Sequence, residues 1–244
     1  ALVFWSCQAV GAEVNPDAEA AAAAIEMVHS YSLVHDDLPA MDDDDLRRGR
    51  PTCHKAFDEP AAILAGDGLL TLAFEILAEK TSGADTGIKL VRELAHAAGP
   101  SGMVAGQMAD LRAENAQGDL ELVKFIHLNK TARMFCCAAV MGGVCGKADD
   151  SKLEALRQYG MKIGLGFQIA DDILDVSASS EQLGKTAGKD KRQGKATYPA
   201  LVGIERSRQI GLELADEAAS IGEQFGQAGQ MLVKLARLLP ERTK

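Results

Sequence analysis

The chain has 244 residues, of which 26 are basic and 35 acidic, so its formal net charge is −9. The length suffices for one large domain with a sizeable core, and the acidic balance argues against a nucleic-acid partner. The five cysteines are odd in number and lack C-x-x-C spacing, which argues against a disulfide framework or a zinc site and favours a reducing, cytoplasmic compartment.

The N-terminal stretch Ala-Leu-Val-Phe-Trp-Ser-Cys is apolar, but it has no basic flank and no initiator Met. This pattern is typical of a helix entered midway rather than of a signal peptide, so we expect the natural N-terminus to lie upstream. No uninterrupted apolar run reaches the roughly 18 residues of a membrane span, so we expect none.

Helical periodicity dominates the rest of the chain, whereas strand-like alternation is scarce. The predicted helices cover about 17–37, 59–79, 85–98, 101–114, 119–145, 150–176, 196–222 and 227–238. Asp17 and the pair Asp150-Ser151 are the expected N-terminal caps. Since no Ser/Pro-rich linker divides the chain, the pattern predicts one all-α domain over residues 1–244.

The first acidic cluster, His35–Asp45, places six carboxylates within ten residues near the end of the first of these helices. Carboxylates this close raise one another's pKa unless a positive group lies among them. Asp42 follows Asp36 by six residues, which is about 120° away on a straight helix. Because Pro39 is unfavourable inside a helix, we expect the helix to loosen or end there, so that Asp42 turns back toward Asp36.

The run Arg47-Arg48-Gly49-Arg50 follows this cluster directly. Arginine binds phosphate oxygens through paired N–H bonds, so carboxylates followed by guanidinium groups suit a metal-bound diphosphate. The Asp-x-Asp-x-Asp-Gly spacing of a calcium loop is absent. Magnesium, which usually takes one or two carboxylates together with substrate phosphates and waters, fits better.

The second acidic cluster lies in the predicted helix 150–176. Its side chains recur at steps of three and four residues and therefore form one stripe, which consists of Gly164, Gln168, Asp171 and Asp175. A solvated face is the commoner explanation for a lone pair of aspartates. This helix is apolar around them, however, and buried carboxylates need a cation or a proton. Lys185 and Lys195 follow in a Gly-rich segment and offer charge for a second phosphate contact.

Together these motifs resemble those of the trans-prenyltransferases, or polyprenyl synthetases, and most closely those of bacterial farnesyl diphosphate synthases. The matching runs are 28–42 with 45–49, Ala65-Gly66-Asp67, Gly106-Gln107, 127–131, 167–175, Leu183-Gly184-Lys185 and 195–199. They span nearly the whole chain in family order. The family also carries a Gly-Gly-Lys-Arg-x-Arg-Pro run just before the point where this sequence starts, so we expect the N-terminal part of the family domain to be missing.

The resemblance implies an isoprenoid-synthase bundle around a deep central pocket, working as a homodimer. It implies head-to-tail (1′–4) condensation of isopentenyl diphosphate with dimethylallyl and then geranyl diphosphate, giving farnesyl diphosphate. About three Mg²⁺ ions would be held by Asp36, Asp42, Asp171 and Asp175. The residues implied to bind the allylic diphosphate are Arg47, Lys130, Lys185 and Lys195. His29 and Arg48 would bind isopentenyl diphosphate, and Thr131 and Gln168 would place dipoles near the allylic cation.

Product length is expected to depend on Tyr31 and its neighbour Ser32. Tyr31 lies five residues, or about 7.5 Å of helix rise, before Asp36. The growing chain must run along this helix, so a bulky side chain could form the floor of the pocket. On the helix, Tyr31 is about 140° from Asp36, whereas Ser32 and His29 share the Asp36 face; geometry alone fits packing against a neighbouring helix equally well. In the family an aromatic residue here accompanies the 15-carbon product, so the resemblance favours farnesyl over geranylgeranyl diphosphate.

An allylic cation must be protected from water, so the pocket should be apolar below the aspartates. The residues available to line it are Phe74, Met103, Met134, Phe135, Met141 and Phe167.

Three other functions remain possible. A terpene cyclase would normally have a mixed Asn/Ser/Glu second motif, and a non-catalytic subunit would be expected to lose aspartates or the arginine pair. A metal-buffering helical protein would explain the carboxylates but not Arg47, Arg48 and Lys185.

Overall fold

The computed structural model describes residues 1–113, 118–177 and 196–240, and within them the regular structure is almost entirely helical. The helices are α1 (Leu2–Ala9), α2 (Pro16–Asp36), α3 (Cys53–Ala56), α4 (Glu59–Lys80), α5 (Ala84–Ala98), α6 (Met103–Ala113), α7 (Leu120–Ile126), α8 (Arg133–Cys145), α9 (Asp150–Ser177), α10 (Tyr198–Val202), α11 (Ile204–Glu223) and α12 (Gln230–Leu238). A π-helical segment, His127–Ala132, joins α7 to α8, and a 3₁₀ turn, Gly226–Gly229, precedes α12. The predicted all-α class is confirmed.

The short helix α3 was not predicted, and the helix expected at 119–145 contains the π-helical segment. Two further elements also differ from the prediction. The helix expected at 196–222 is divided at Gly203, whose φ of 84° ends α10 before α11 begins. The segment between α2 and α3 contains a small antiparallel hairpin, β1 (Leu46–Arg47) and β2 (Arg50–Pro51), which no alternating pattern had indicated.

The predicted helix caps lie one or two residues from the observed ones. Asn15, rather than Asp17, accepts a hydrogen bond from the first turn of α2. Asp17 instead accepts from the backbone N–H and the hydroxyl of Ser82, and so joins the start of α2 to the end of α4. At the start of α9, Asp149 accepts from the N–H of Lys152.

The close packing of α9 against the π-segment and α8 determines which residues of these elements face one another at the site. Gly160 and Gly164 stand one turn apart on α9. A Cβ at Gly160 would collide with the backbone of Cys136, and one at Gly164 would collide with Ala132. Because only glycine fits at these contacts, the two backbones touch, and the next turns of α9 come to lie opposite residues 130–135.

Helix α4 packs along α2 on one side, but several of its large apolar side chains, including Ile63, Leu64 and Leu72, are exposed. By length and composition alone this helix could cross a membrane, since an 18-residue window has a mean hydropathy of 1.7 and is 22% buried. Asp67 and Glu75 interrupt the apolar run but leave its average high. The expectation of no membrane span was based only on unbroken apolar runs. The average hydropathy of α4 does not decide the question, so that expectation stays a prediction.

Candidate active site

A cavity of about 680 Å³ lies between α2, α6, the π-segment with α8, and α9. This volume is typical of a small-molecule site. The polar groups at its charged end include Asp36, Lys130, Thr131, Gln168 and Asp171. Farther along the same helices the lining is mainly apolar and includes Ile25, Met103, Met134, Phe135, Ala138 and Phe167. Of the apolar residues expected to line it, Phe74 and Met141 belong instead to the core between the helices.

The last residue of α2, Asp36, lies at the charged end of this cavity. Burial raises its pKa to about 6; Lys130 opposes the shift, and the carboxylate of Asp42 adds to it. The helix ends three residues before Pro39, and the N–H of Asp42 then donates to the carbonyl oxygen of Asp36 at 2.8 Å. The turn therefore brings the two carboxylates into electrostatic contact, as the proline suggested.

Arg47 is held by Asp37, a carboxylate of the first cluster that sequence reasoning had not singled out. The Nε of Arg47 lies 3.0 and 2.9 Å from the two Asp37 oxygens, and its Nη2 lies 2.6 Å from Oδ1. Asp37 is buried, and these bonds are the main reason that the pKa of Arg47 is raised. The guanidinium group is thereby fixed near Asp36, whose pKa it lowers.

Arg48 occupies the turn of the hairpin, where it and Gly49 have φ values of 53° and 75°. Two consecutive positive φ values are typical of the tight turns that match strand twist. Arg48 is close enough to α2 to affect His29. The pKa of His29 is lowered mainly by partial desolvation; Glu26 opposes this shift, and Arg48 and Arg47 add to it. The hairpin thus brings the two residues proposed for isopentenyl diphosphate to the same side of the molecule.

The π-segment presents Lys130 and Thr131 to the cavity, and such segments are frequent at functional sites. Lys130 Nζ lies 2.7 Å from Oδ2 of Asp110 on α6, and Thr131 donates to the side-chain oxygen of Gln168 on α9. Sequence reasoning missed Asp110. The argument that identified Asp171, a carboxylate in an otherwise apolar helix, would have found it.

The side chains of the second acidic cluster point in different directions from α9. Asp171 lines the cavity, whereas Asp172 is buried and accepts a hydrogen bond from the backbone N–H of Tyr198 at 2.9 Å. The ring of His127 stacks on Tyr198, with 5.5 Å between centroids. Asp175 is also buried and is not part of the cavity lining. The proposed phosphate contacts Lys185 and Lys195 lie outside the described residues.

Tyr31 and Ser32 both line the cavity, and Tyr31 is largely buried. The ring of Tyr31 meets the edge of His35, with 5.4 Å between centroids. His35 Nε2 lies 2.9 Å from the carbonyl oxygen of Ile63 on α4, and any Cβ at Gly66 would overlap the imidazole. Contacts with α4 therefore determine where the Tyr31 ring can lie.

Within the described residues, no three His, Cys, Asp or Glu side chains are close enough together to hold a metal ion. Asp36 and Asp171 instead line the same cavity from α2 and α9, whereas Asp42 affects Asp36 electrostatically but is not among the lining residues. Magnesium is commonly bound by one or two carboxylates plus phosphate oxygens and waters. The raised pKa of Asp36 indicates a carboxylate whose charge a cation would stabilise. Asp36 and Asp171 would therefore suit a magnesium ion that takes its remaining oxygen ligands from a bound diphosphate and from water, rather than an ion held by protein side chains alone.

Comparison with known proteins identifies the family. The sequence model described as Polyprenyl synthetase matches residues 1–230. The chain belongs to the polyprenyl synthetase family. It is 50% identical over 224 residues to geranylgeranyl pyrophosphate synthase 11, chloroplastic, of Arabidopsis thaliana, covering 89% of this chain and 62% of the relative. It is 48% identical over 227 residues to the chloroplastic geranylgeranyl pyrophosphate synthase of Capsicum annuum, covering 92% and 61%. The chain thus spans about three fifths of the length of these curated relatives.

Solved structures of similar proteins share the isoprenoid-synthase helical fold. An apo FPP/GFPP synthase from Zymomonas mobilis is 38% identical, with a TM-score of 0.86 over 98% of this chain and 81% of that chain. A geranyltransferase from Helicobacter pylori, complexed with magnesium and isoprenyl diphosphate, is 33% identical, with a TM-score of 0.83 over 98% and 82%.

Proposed function

We propose that this chain condenses isopentenyl diphosphate head-to-tail with an allylic diphosphate. The observation that carries the proposal is the division of one cavity into a charged end and an apolar end. Asp36 and Asp171 line the charged end from α2 and α9, and Lys130 of the π-segment lines it close enough to lower the pKa of Asp36. A substrate with a diphosphate head and a hydrocarbon tail matches this arrangement at both ends.

We propose magnesium as the cofactor, with Asp36, Asp42 and Asp171 as ligands and Asp175, one turn further along α9, as a fourth candidate. The Helicobacter pylori geranyltransferase, which was solved with magnesium and isoprenyl diphosphate, supports this choice. When bound, magnesium supplies electrostatic stabilisation of the negative charge that develops on the departing diphosphate.

The side chains of this chain have distinct parts in the proposed reaction. Lys130 and Arg47 bind the allylic diphosphate, while His29 and Arg48 bind the isopentenyl diphosphate. The allylic C–O bond breaks, its electron pair leaves with the diphosphate, and the double bond of isopentenyl diphosphate attacks the remaining cation. The tertiary cation that this attack forms then loses a proton to the departing diphosphate, which restores a double bond. The hydrogen-bonded dipole of Thr131 lies beside the allylic cation, and the apolar walls exclude the water that would convert it into an alcohol.

We propose farnesyl diphosphate as the product, with Tyr31 as the residue that limits chain growth. The buried ring and its support by His35 favour this product. Two observations favour geranylgeranyl diphosphate as a second candidate. The curated relatives are named geranylgeranyl pyrophosphate synthases, and the cavity lining continues along α2 beyond Tyr31 to Ile25 and Ala22.

A homodimer is the assembly that we propose, with α4 contributing to the interface. The exposed Ile63, Leu64 and Leu72 form an apolar surface on this helix that a second copy could cover. The cytoplasmic location expected from the sequence stays a prediction. None of the five cysteines, all of which are described, forms a disulfide, whereas the Arabidopsis thaliana and Capsicum annuum relatives are named chloroplastic.

The test is incubation of the protein with Mg²⁺, radiolabelled isopentenyl diphosphate and either dimethylallyl or geranyl diphosphate, followed by chromatography of the products. We expect label in farnesyl diphosphate, and label in the 20-carbon product would select the second candidate. Cyclic hydrocarbons formed without incorporation of label would identify a terpene cyclase instead. No incorporation under any condition would contradict a catalytic role for the chain alone.

A further inference from the structure

Gln107 on α6 lines the cavity and takes no part in the contacts described above. Both its amide nitrogen and its amide oxygen are buried, and neither has a hydrogen-bond partner among the described residues. Buried amides normally have partners, because burial removes the hydrogen bonds that water would otherwise provide. Since the amide lies in the wall of the cavity, a bound substrate can supply the missing partners.

Gln107 lies between Met103 and Asp110 along α6. A Cβ at Gly106 would collide with the backbone N of Lys130, so α6 touches the π-segment at this point. Asp110, about 4.5 Å along the helix axis, contacts Lys130 at the charged end. Met103 lies about 6 Å in the opposite direction and is buried in the apolar lining. Gln107 is therefore next to the contact with Lys130 and about one turn from Met103, while Met108 and Leu111 of the same helix also line the cavity.

We infer that Gln107 is a further catalytic residue, whose amide contacts the allylic C–O bond as it breaks; this inference rests on the proposed function. A diphosphate at Lys130 with its hydrocarbon tail along Met103 brings the reacting carbon to the level of Gln107. The Nε2 group donates to the departing diphosphate oxygen, which takes the electron pair. The Oε1 atom faces the allylic carbons, which keep the positive charge.

An amide suits this position because it is polar without being reactive. Both of its polar atoms are buried, so little solvent has to reorganise when the charges separate beside them. A water molecule in the same place would add to the cation, whereas an amide neither adds irreversibly nor removes a proton efficiently. The cost of burying the amide in the substrate-free protein is then offset in the transition state.

The test replaces Gln107 by Met, which keeps the length of the side chain and removes its amide. We expect kcat to fall about 10- to 100-fold, with KM for each substrate changed less than about threefold. The melting temperature should be unchanged or higher, because a buried amide without partners is lost. Gln158→Met is the matched control. It removes an exposed amide on α9 that bonds only Glu154 among the described residues, and it should change neither kcat nor melting temperature.

Hydrolysis of geranyl diphosphate in the absence of isopentenyl diphosphate measures ionisation of the allylic substrate by itself. It should fall in Gln107→Met by the same factor as condensation. Hydrolysis at the wild-type rate, kcat within twofold of wild type, or a loss of activity that only follows a lower melting temperature would each overturn the inference. If the Met variant does not fold, Gln107→Glu has the same volume and should show the same joint loss of both rates. A wild-type protein that makes no prenyl product would overturn the proposed function itself, and this inference with it.

Discussion

The adjacent residues Asp171 and Asp172 provide a test in which stability and activity separate. Asp171 lines the cavity and belongs to its charged end, whereas Asp172 is buried and accepts the N–H of Tyr198. We expect Asp171→Ala to abolish measurable turnover with little effect on stability. Asp172→Ala should lower stability and leave the activity of the folded fraction within severalfold of wild type.

The loss of stability expected for Asp172→Ala follows from the contacts of the Asp172 side chain. A hydrogen bond to a charged group contributes roughly 1.5–3 kcal/mol, and its loss leaves the N–H of the buried Tyr198 without an acceptor. The contact with His127 adds little, because the Nε2–Oδ1 distance is 3.5 Å and burial lowers the pKa of this imidazole to about 4, so that the ring is neutral at pH 7. For a chain of this length each kcal/mol shifts the melting temperature by about 2–4 °C. The expected decrease is thus about 3–12 °C.

Thermal unfolding followed by circular dichroism, together with condensation assays well below the transition, measures both quantities. Asp172→Asn is the matched control, because its amide oxygen can still accept from Tyr198 and should recover most of the lost stability. The reasoning is refuted if Asp171→Ala keeps wild-type turnover. It is also refuted if Asp172→Ala melts at the wild-type temperature.

Three further predictions concern both substrates, the product and the core. Arg48→Ala should raise KM mainly for isopentenyl diphosphate and Arg47→Ala mainly for the allylic diphosphate, because one guanidinium lies in the hairpin turn and the other is held near Asp36; steady-state kinetics with equal effects on both substrates would contradict this. Tyr31→Ala should shift the products toward 20 carbons or more, and an unchanged chromatogram would show that this ring does not limit the chain. Tyr159→Phe should cost about 1–3 kcal/mol of stability without changing kcat, because the buried hydroxyl donates to a backbone carbonyl oxygen at 2.7 Å; calorimetry showing no loss would argue against that bond.

The parts of the fold that periodicity controls could be predicted from the sequence. Most helix boundaries agree within about two residues, because apolar spacing and the Gly and Pro breaks depend on local chemistry. The turn of Asp42 toward Asp36 was also predictable, since a proline within a helical pattern has a local effect.

The remaining features depend on contacts between distant segments. No local pattern distinguishes Asp37, which binds Arg47, from Asp36, which faces the cavity, because the choice is made by where α2 ends. In the same way, Asp172 differs from Asp171 because it accepts a hydrogen bond from Tyr198, which lies 26 residues further along the chain. The support of Lys130 by Asp110 requires the contact between α6 and the π-segment.

The stoichiometry of diphosphate release tests the central claim most directly. With Mg²⁺, geranyl diphosphate and limiting isopentenyl diphosphate, one inorganic diphosphate should be released for each isopentenyl diphosphate consumed. Release should nearly stop when isopentenyl diphosphate is exhausted or EDTA is added. Sustained release without consumption of isopentenyl diphosphate, or unchanged turnover after the metal is chelated, would contradict a magnesium-assisted condensation in this cavity.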